Sequence, residues 1–110
     1  VRWASSISDA GDFDAARKHV TAELRRQLHD QAPHLLLAFV TREHQARWHE
    51  LPGALQESFP GAVLIGCSGA GVLADGRELE GVPGLALAGA VLPGVELTPF
   101  HLPSERTPDP

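Results

Sequence analysis

Methionine is absent from the 110 residues and the chain starts at Val1, a combination that predicts an excerpt or a processed product with further sequence missing. Cysteine is almost as scarce: Cys67 alone cannot build an internal disulfide framework, which fits a reducing cytoplasm. No apolar run approaches the roughly 18 residues of a membrane span, and no segment reads as a cleavable signal. Basic charge is in deficit, with 9 Lys and Arg against 14 Asp and Glu, and the arginines are scattered. Such a surface repels nucleic acid and anionic lipid, so neither is expected as a partner. The 6 histidines include no pair at the i, i+4 spacing of a helical metal site, since His29/His34 and His44/His49 are five apart; neither a metal nor another cofactor is expected.

What is present is the make-up of an ordinary globular chain, 43% hydrophobic and 21% charged, long enough for one core. Val1 to Ile7 alternates as a strand. Asp12 then reads as the N-cap of an amphipathic helix whose stripe is Phe13, Ala16, Val20, Leu24 and Leu28. Leu35 to Val40 is continuously apolar, as in a central parallel strand buried on both faces. Trp48, Leu51, Leu55 and Phe59 keep helical spacing, with Pro52 and Gly53 expected to split or kink the helix. Ala62 to Gly66 is a third short strand. Leu85 to Val91 alternates large and small side chains and, after a Pro93-Gly94 turn, VELTPFHL is expected to return as the second arm of a hairpin. PSERTPDP reads as a tail or linker.

The expected fold is therefore α/β. Its mixed sheet has three parallel strands joined by two crossover helical segments, plus a C-terminal antiparallel β-hairpin. Residues 1–102 form one domain in this reading and 103–110 a polar, proline-rich tail.

The stretch IGCSGAGVLADGRELEG, Ile65 to Gly81, concentrates five glycines behind the third strand. A phosphate loop would need GxGxxG or GxxxxGK[ST], and the order Gly66, Gly69, Gly71 matches neither. Gly66 to Ala70 approximates a nucleophile elbow, with Cys67 or Ser68 as nucleophile, Asp75 as acid and His101 as base, but it lacks room for the supporting helix. A ligand rim needs only topology: parallel strands end in loops that line a common crevice. Those ends supply Ser6 and Ser8, Thr41 and Arg42, and Cys67, Ser68 and Gly69, a set suited to a small carboxylate. Glu78 and Glu80 share one side of an extended segment, where paired acids can bind an amine or simply meet solvent.

VLIGCSGAGVLADGRELEG followed by GLALAGAVLPGVELTPFHL, with HLLLAFVTREH upstream, resembles the N-terminal part of the FIST family, sensory domains of bacterial signal-transduction proteins. The resemblance carries the family's glycine, cysteine, serine and later glycine onto Gly66, Cys67, Ser68 and Gly71, and its acidic positions onto Glu78 and Glu80. It implies the first portion of a longer cytoplasmic domain that binds a small ligand, such as an amino acid or a derivative, without catalysis. The ligand state would pass to a signalling output module such as a histidine kinase, or to a companion C-terminal domain. The expected ligand-binding residues are Thr41, Arg42, Gly66, Cys67, Ser68, Gly69, Gly71 and Glu78.

Overall fold

A computed structural model describes residues 1–69, 71–74 and 77–100, of which residues 67, 69, 71–74 and 77–80 are described by their backbone. The tail 103–110, His101 and Asp75 lie outside the described residues.

The first strand, β1, spans Arg2–Ser8 and leads to helix α1, Phe13–Gln27. The Asp12 side chain caps α1 by accepting from the Ala15 backbone N–H at 2.9 Å, and it satisfies one of the donors that every helix start leaves open. The expected stripe is the buried one: Ala16, Val20, Leu24 and Leu28 are each fully inaccessible. Strand β2, Leu35–Thr41, is followed by a 3-10 helix, Arg42–Glu50, and then by helix α2, Leu51–Ser58. The break falls before Pro52, not at it. Proline occupies the first turn of α2, where its missing N–H costs nothing, so it starts a helix instead of kinking one. Strands β3, Val63–Gly69, β4, Gly71–Ala74, β5, Arg77–Glu80, and β6, Leu85–Val91, complete the described elements.

The main sheet has the order β1-β6-β2-β3. β2 and β3 pair in parallel, and β6 pairs antiparallel with both β1 and β2. Two expectations are corrected here. β1 points the same way as β2 and β3, but β6 separates it from them, so the hydrogen-bonded parallel unit has two strands instead of three. The C-terminal hairpin is not formed either. Pro93 and Gly94 do turn the chain, with Gly94 at φ +77° and Val95 N–H donating to Leu92 O at 3.2 Å, but residues 95–100 form no strand. The reason lies in the alternation of β6. Leu85 and Leu87 face the helices while Ala86, Ala88 and Ala90 face away, so both its faces suit a central position, and its edges are taken by β1 and β2. The antiparallel hairpin among the described residues is β4–β5, inside the glycine-rich stretch.

Both helices pack on one face. Ala4 of β1, Leu36, Ala38 and Val40 of β2, and Leu85 and Leu87 of β6 form one core with Phe13, Ala16, Val20, Leu24, Leu51, Leu55 and Phe59. On the other face β4 lies against β1, β6 and β2, and Ile7 and Ala86 at that end are buried. Beyond it the face is apolar and uncovered by the described residues: Trp3 is 57% exposed, Ile65 54% and Phe39 39%.

The outer edge of β1 is occupied by the Gln27 amide, which accepts from Ser5 N–H at 3.0 Å and donates to Ser5 O at 2.8 Å as a strand would. No helix among the described residues is long and apolar enough to cross a membrane.

Candidate functional site

The parallel pair sets the place of the site. Along β2 and β3 the register puts Ala38 beside Gly66 and Val40 beside Ser68, and all four residues lie on the helix side of the sheet because alternate residues share a face. Opposite them stand Trp48 from the 3-10 helix and Leu51, Pro52, Leu55 and Gln56 from α2; with Leu64 these enclose a cleft of about 350 Å³. Val40 and Ser68 place it near the carboxyl ends of β2 and β3, the region where an open α/β sheet offers a ligand its crevice. Its walls are aliphatic and aromatic, and its rim holds the Ser68 hydroxyl and the Gln56 amide.

The sheet side of the cleft is low because its residues are small. At Gly66 an added Cβ would stand 2.7 Å from the Ala38 carbonyl oxygen, so the close approach of β3 to β2 requires glycine there. Trp48 is fixed by its indole N–H, which donates to the Thr41 carbonyl at 3.0 Å. Thr41 is itself fully buried. Its hydroxyl donates to Val82 O at 3.2 Å and accepts from Gly84 N–H at 2.9 Å, which ties the segment before β6 to the end of β2.

The helical wall is pinned to α1 by two arginines. Arg47 makes a two-pronged contact with Asp14 at 3.0 and 3.1 Å, a second one with Glu50 at 2.8 and 2.7 Å, and lies 4.8 Å over the Phe13 ring. These bonds hold the Asp14 and Glu50 carboxyls below their ordinary values and raise the Arg47 guanidinium above its own. Arg25 donates to Ser58 O at 2.7 Å and covers Phe59 at 5.1 Å. The larger hollow between α1 and the 42–58 segment is lined by these charges, Asp14, Arg17, Arg25, Arg47 and Glu50 among them. Asp14, Arg17, Arg47 and Glu50 pair with one another and Arg25 with Ser58 O, which makes it a structural seam. Beside it His44 is buried edge-on to Phe13 at 5.7 Å, and its Nε2 has no hydrogen-bond partner among the described residues.

The residues expected at a ligand rim are thus divided. Gly66 and Ser68 border the cleft. Ser6 donates its hydroxyl to Val20 O at 2.7 Å beneath α1, and Ser8 accepts from Ala10 N–H at 3.2 Å. Both serines, like Thr41, use their hydroxyls inside the fold. Arg42 is exposed at the start of the 3-10 helix and is not among the residues lining the cleft. Cys67 and Gly69 lie on the β3 backbone, Gly71 on β4, and Glu78 and Glu80 on β5. Trp48, Leu55, Gln56 and Leu64 were missed as site residues. Their signal was the helical stripe of residues 48–59 facing strands rich in small residues, which reads equally well as plain core. Among the described residues no group of His, Cys, Asp or Glu is arranged to hold a metal ion.

Residues 34–102 match the FIST N domain family. Two uncharacterized proteins of Mycobacterium tuberculosis, one from strain CDC 1551 / Oshkosh and one from strain ATCC 25618 / H37Rv, are each 34% identical to the chain over 107 residues. The match takes in 97% of this chain but 27% of either relative, so the chain spans about a quarter of the length of the curated proteins it resembles. No solved structure matches it. The chain belongs to the FIST N domain family, a family of sensory domains in signalling proteins.

Proposed function

We propose that this FIST N domain binds a small molecule in the cleft between α2 and the β2–β3 pair, without turning it over, and reports occupancy to an output module in the cytoplasm. The observation that carries the reading is the cleft itself. It is apolar and borders two parallel strands near their carboxyl ends, with Gly66 and Ser68 of the family-like GCSGAG segment on one side and Trp48 on the other. A nucleophile at Ser68 would need a base within hydrogen-bond reach, and the described lining holds neither a histidine nor a carboxylate.

The mechanism is a shift of population. A ligand wedged between sheet and wall favours one setting of the 42–58 segment, and its differential affinity for that setting is the signal. The segment is suited to this because it rests on α1 through the discrete Arg47 and Arg25 contacts. The test is an amide-shift titration of the 110-residue chain against a library of metabolites. Saturable shifts centred on Trp48, Leu55, Leu64 and Ser68 are expected. A library that leaves these amides unmoved refutes the reading.

The uncovered sheet face favours a second reading, self-association through Trp3, Phe39 and Ile65. Sedimentation of the chain over a hundredfold concentration range, with Ile65→Lys as the control, separates it from the first.

A further inference from the structure

We infer that the ligand of this cleft is neutral and largely apolar, with one hydrogen-bonding end held at the mouth; this rests on the reading of the cleft as a binding site. The expected ligand was a small carboxylate, and the cleft offers one no counter-charge. Its described lining has no charged side chain. Of the nearby arginines, Arg42 is exposed outside it, while Arg25 and Arg47 are engaged with Ser58 O, Asp14 and Glu50 on the far side of the wall. A carboxylate or an ammonium entering among Val40, Leu51, Leu55 and Leu64 would lose hydration and gain no partner.

The unspent polar capacity has a definite place. Trp48 N–H is committed to Thr41 O, and the Thr41 hydroxyl to residues 82 and 84. The Ser68 hydroxyl and the Gln56 amide remain, both on exposed residues. A hydroxyl can donate once and accept twice, and a primary amide can donate twice and accept. Together they suit an alcohol, carbonyl or amide at the rim, with the apolar body of the ligand inward against Trp48. A volume of about 350 Å³ is at the low end for small-molecule sites and suits a single ring with a short substituent.

The experiment uses three probes that share one ring: cyclohexanol, cyclohexanecarboxylate and cyclohexylamine. Trp3→Phe removes the other tryptophan, which lies on the opposite face of the sheet, so that emission reports Trp48 alone. Cyclohexanol is expected to shift that emission saturably, and the two charged probes to bind at least roughly tenfold more weakly, as unpaired charge in an apolar site requires. Ser68→Phe and, independently, Gln56→Phe place a ring in the mouth from exposed positions; each is expected to abolish cyclohexanol binding while the chain still melts cooperatively. Carboxylate binding as tight as that of the alcohol overturns the neutral-ligand inference and leaves the cleft a site. If no probe binds, or if binding survives both blocking substitutions, the cleft is not the site and both readings fall.

Discussion

Replacing Gly66 by alanine tests the geometry of the cleft's sheet side most directly. Its φ is not in the left-handed region, unlike that of Gly61, Gly81 and Gly94, so the substitution meets no dihedral penalty and the cost is one of space. The new methyl would stand 2.7 Å from Ala38 O, 3.4 Å from Ala38 Cβ and 3.5 Å from Ala38 C. The nearest of these is backbone and cannot rotate away. β3 must therefore move off β2 at the step where Gly66 and Ala38 pair, which loosens the parallel ladder. Overpacking of this kind costs about 1–3 kcal/mol. The midpoint of thermal unfolding would fall by about 4 to 8 °C for each kcal/mol, if the chain behaves like a domain of up to about 100 residues.

The assay is a thermal melt with a urea titration beside it, and Gly53→Ala is the internal control. Gly53 lies in α2 with nothing within 4 Å of an added Cβ, so alanine there is expected to stabilise by about 0.5–1 kcal/mol through helix propensity. Opposite signs at the two glycines are the expected outcome. A Gly66→Ala protein at least as stable as the parent, with Gly53→Ala behaving as stated, would show that β3 yields at no cost and refute the close-approach argument.

Thr41→Val removes the hydroxyl that bridges Val82 O and Gly84 N–H at a fully buried position; a loss of about 1–3 kcal/mol in urea titration is expected, with Thr41→Ser recovering most of it. Gln27→Ala frees the Ser5 backbone groups at the β1 edge, and about 1–2 kcal/mol of stability should go with the two bonds. Concentration-dependent association in sedimentation should rise at the same time, because an unpaired edge recruits strands. Acid should destabilise the chain in a defined window. Asp14 and Glu50 are held below their ordinary values chiefly by their hydrogen bonds to Arg47, and Glu23 is lowered to about 2 chiefly by Arg26. The folded state thus resists protonation that the unfolded chain accepts, so this stabilisation is complete above the ordinary carboxylate values near 4.5 and is lost as pH falls toward about 2. Urea midpoints measured across that window should fall less in Arg47→Met than in the parent. They should also fall less in high salt, since these pairs are exposed to solvent.

What was legible in the sequence was whatever depended on one element at a time. The α1 stripe and the Asp12 cap follow from a 3.6-residue period and a local hydrogen bond, and both are where the pattern placed them. The β6 strand was legible as a strand but not as a neighbour of β1 and β2. A run with two apolar faces fits a central position whichever strands flank it, and a Pro-Gly turn beside it suggested the nearest partner in sequence. Choosing instead to insert β6 between β1 and β2 is a long-range decision, made by the fit of Leu85, Leu87 and Gly89 under α1 and β2. No local signal carries that information.

The site divides along the same line. Sequence reasoning pointed to the ends of β2 and β3, and two of the residues it named there, Gly66 and Ser68, border the cleft, because the topology of β2, crossover and β3 sends the chain past it whatever the side chains are. Its choice of chemistry came from residue types near the strand ends, and hydroxyls there have a competing use. Ser6, Ser8 and Thr41 bond to Val20 O, Ala10 N–H and the 82–84 segment, so their hydroxyls tie backbone inside the fold. The residues that do border the cleft are there for volume. Gly66 and Ala38 leave room, and Trp48, Leu51 and Leu55 bound it. Volume is a property of facing pairs, so it became readable only when the β2–β3 register put Gly66 beside Ala38 and α2 came to lie across them. The same pairing explains why the cleft is apolar: it is bordered by Leu51 and Leu55 of the amphipathic segment and by Ala38 and Val40 of β2, all of them residues of the buried core.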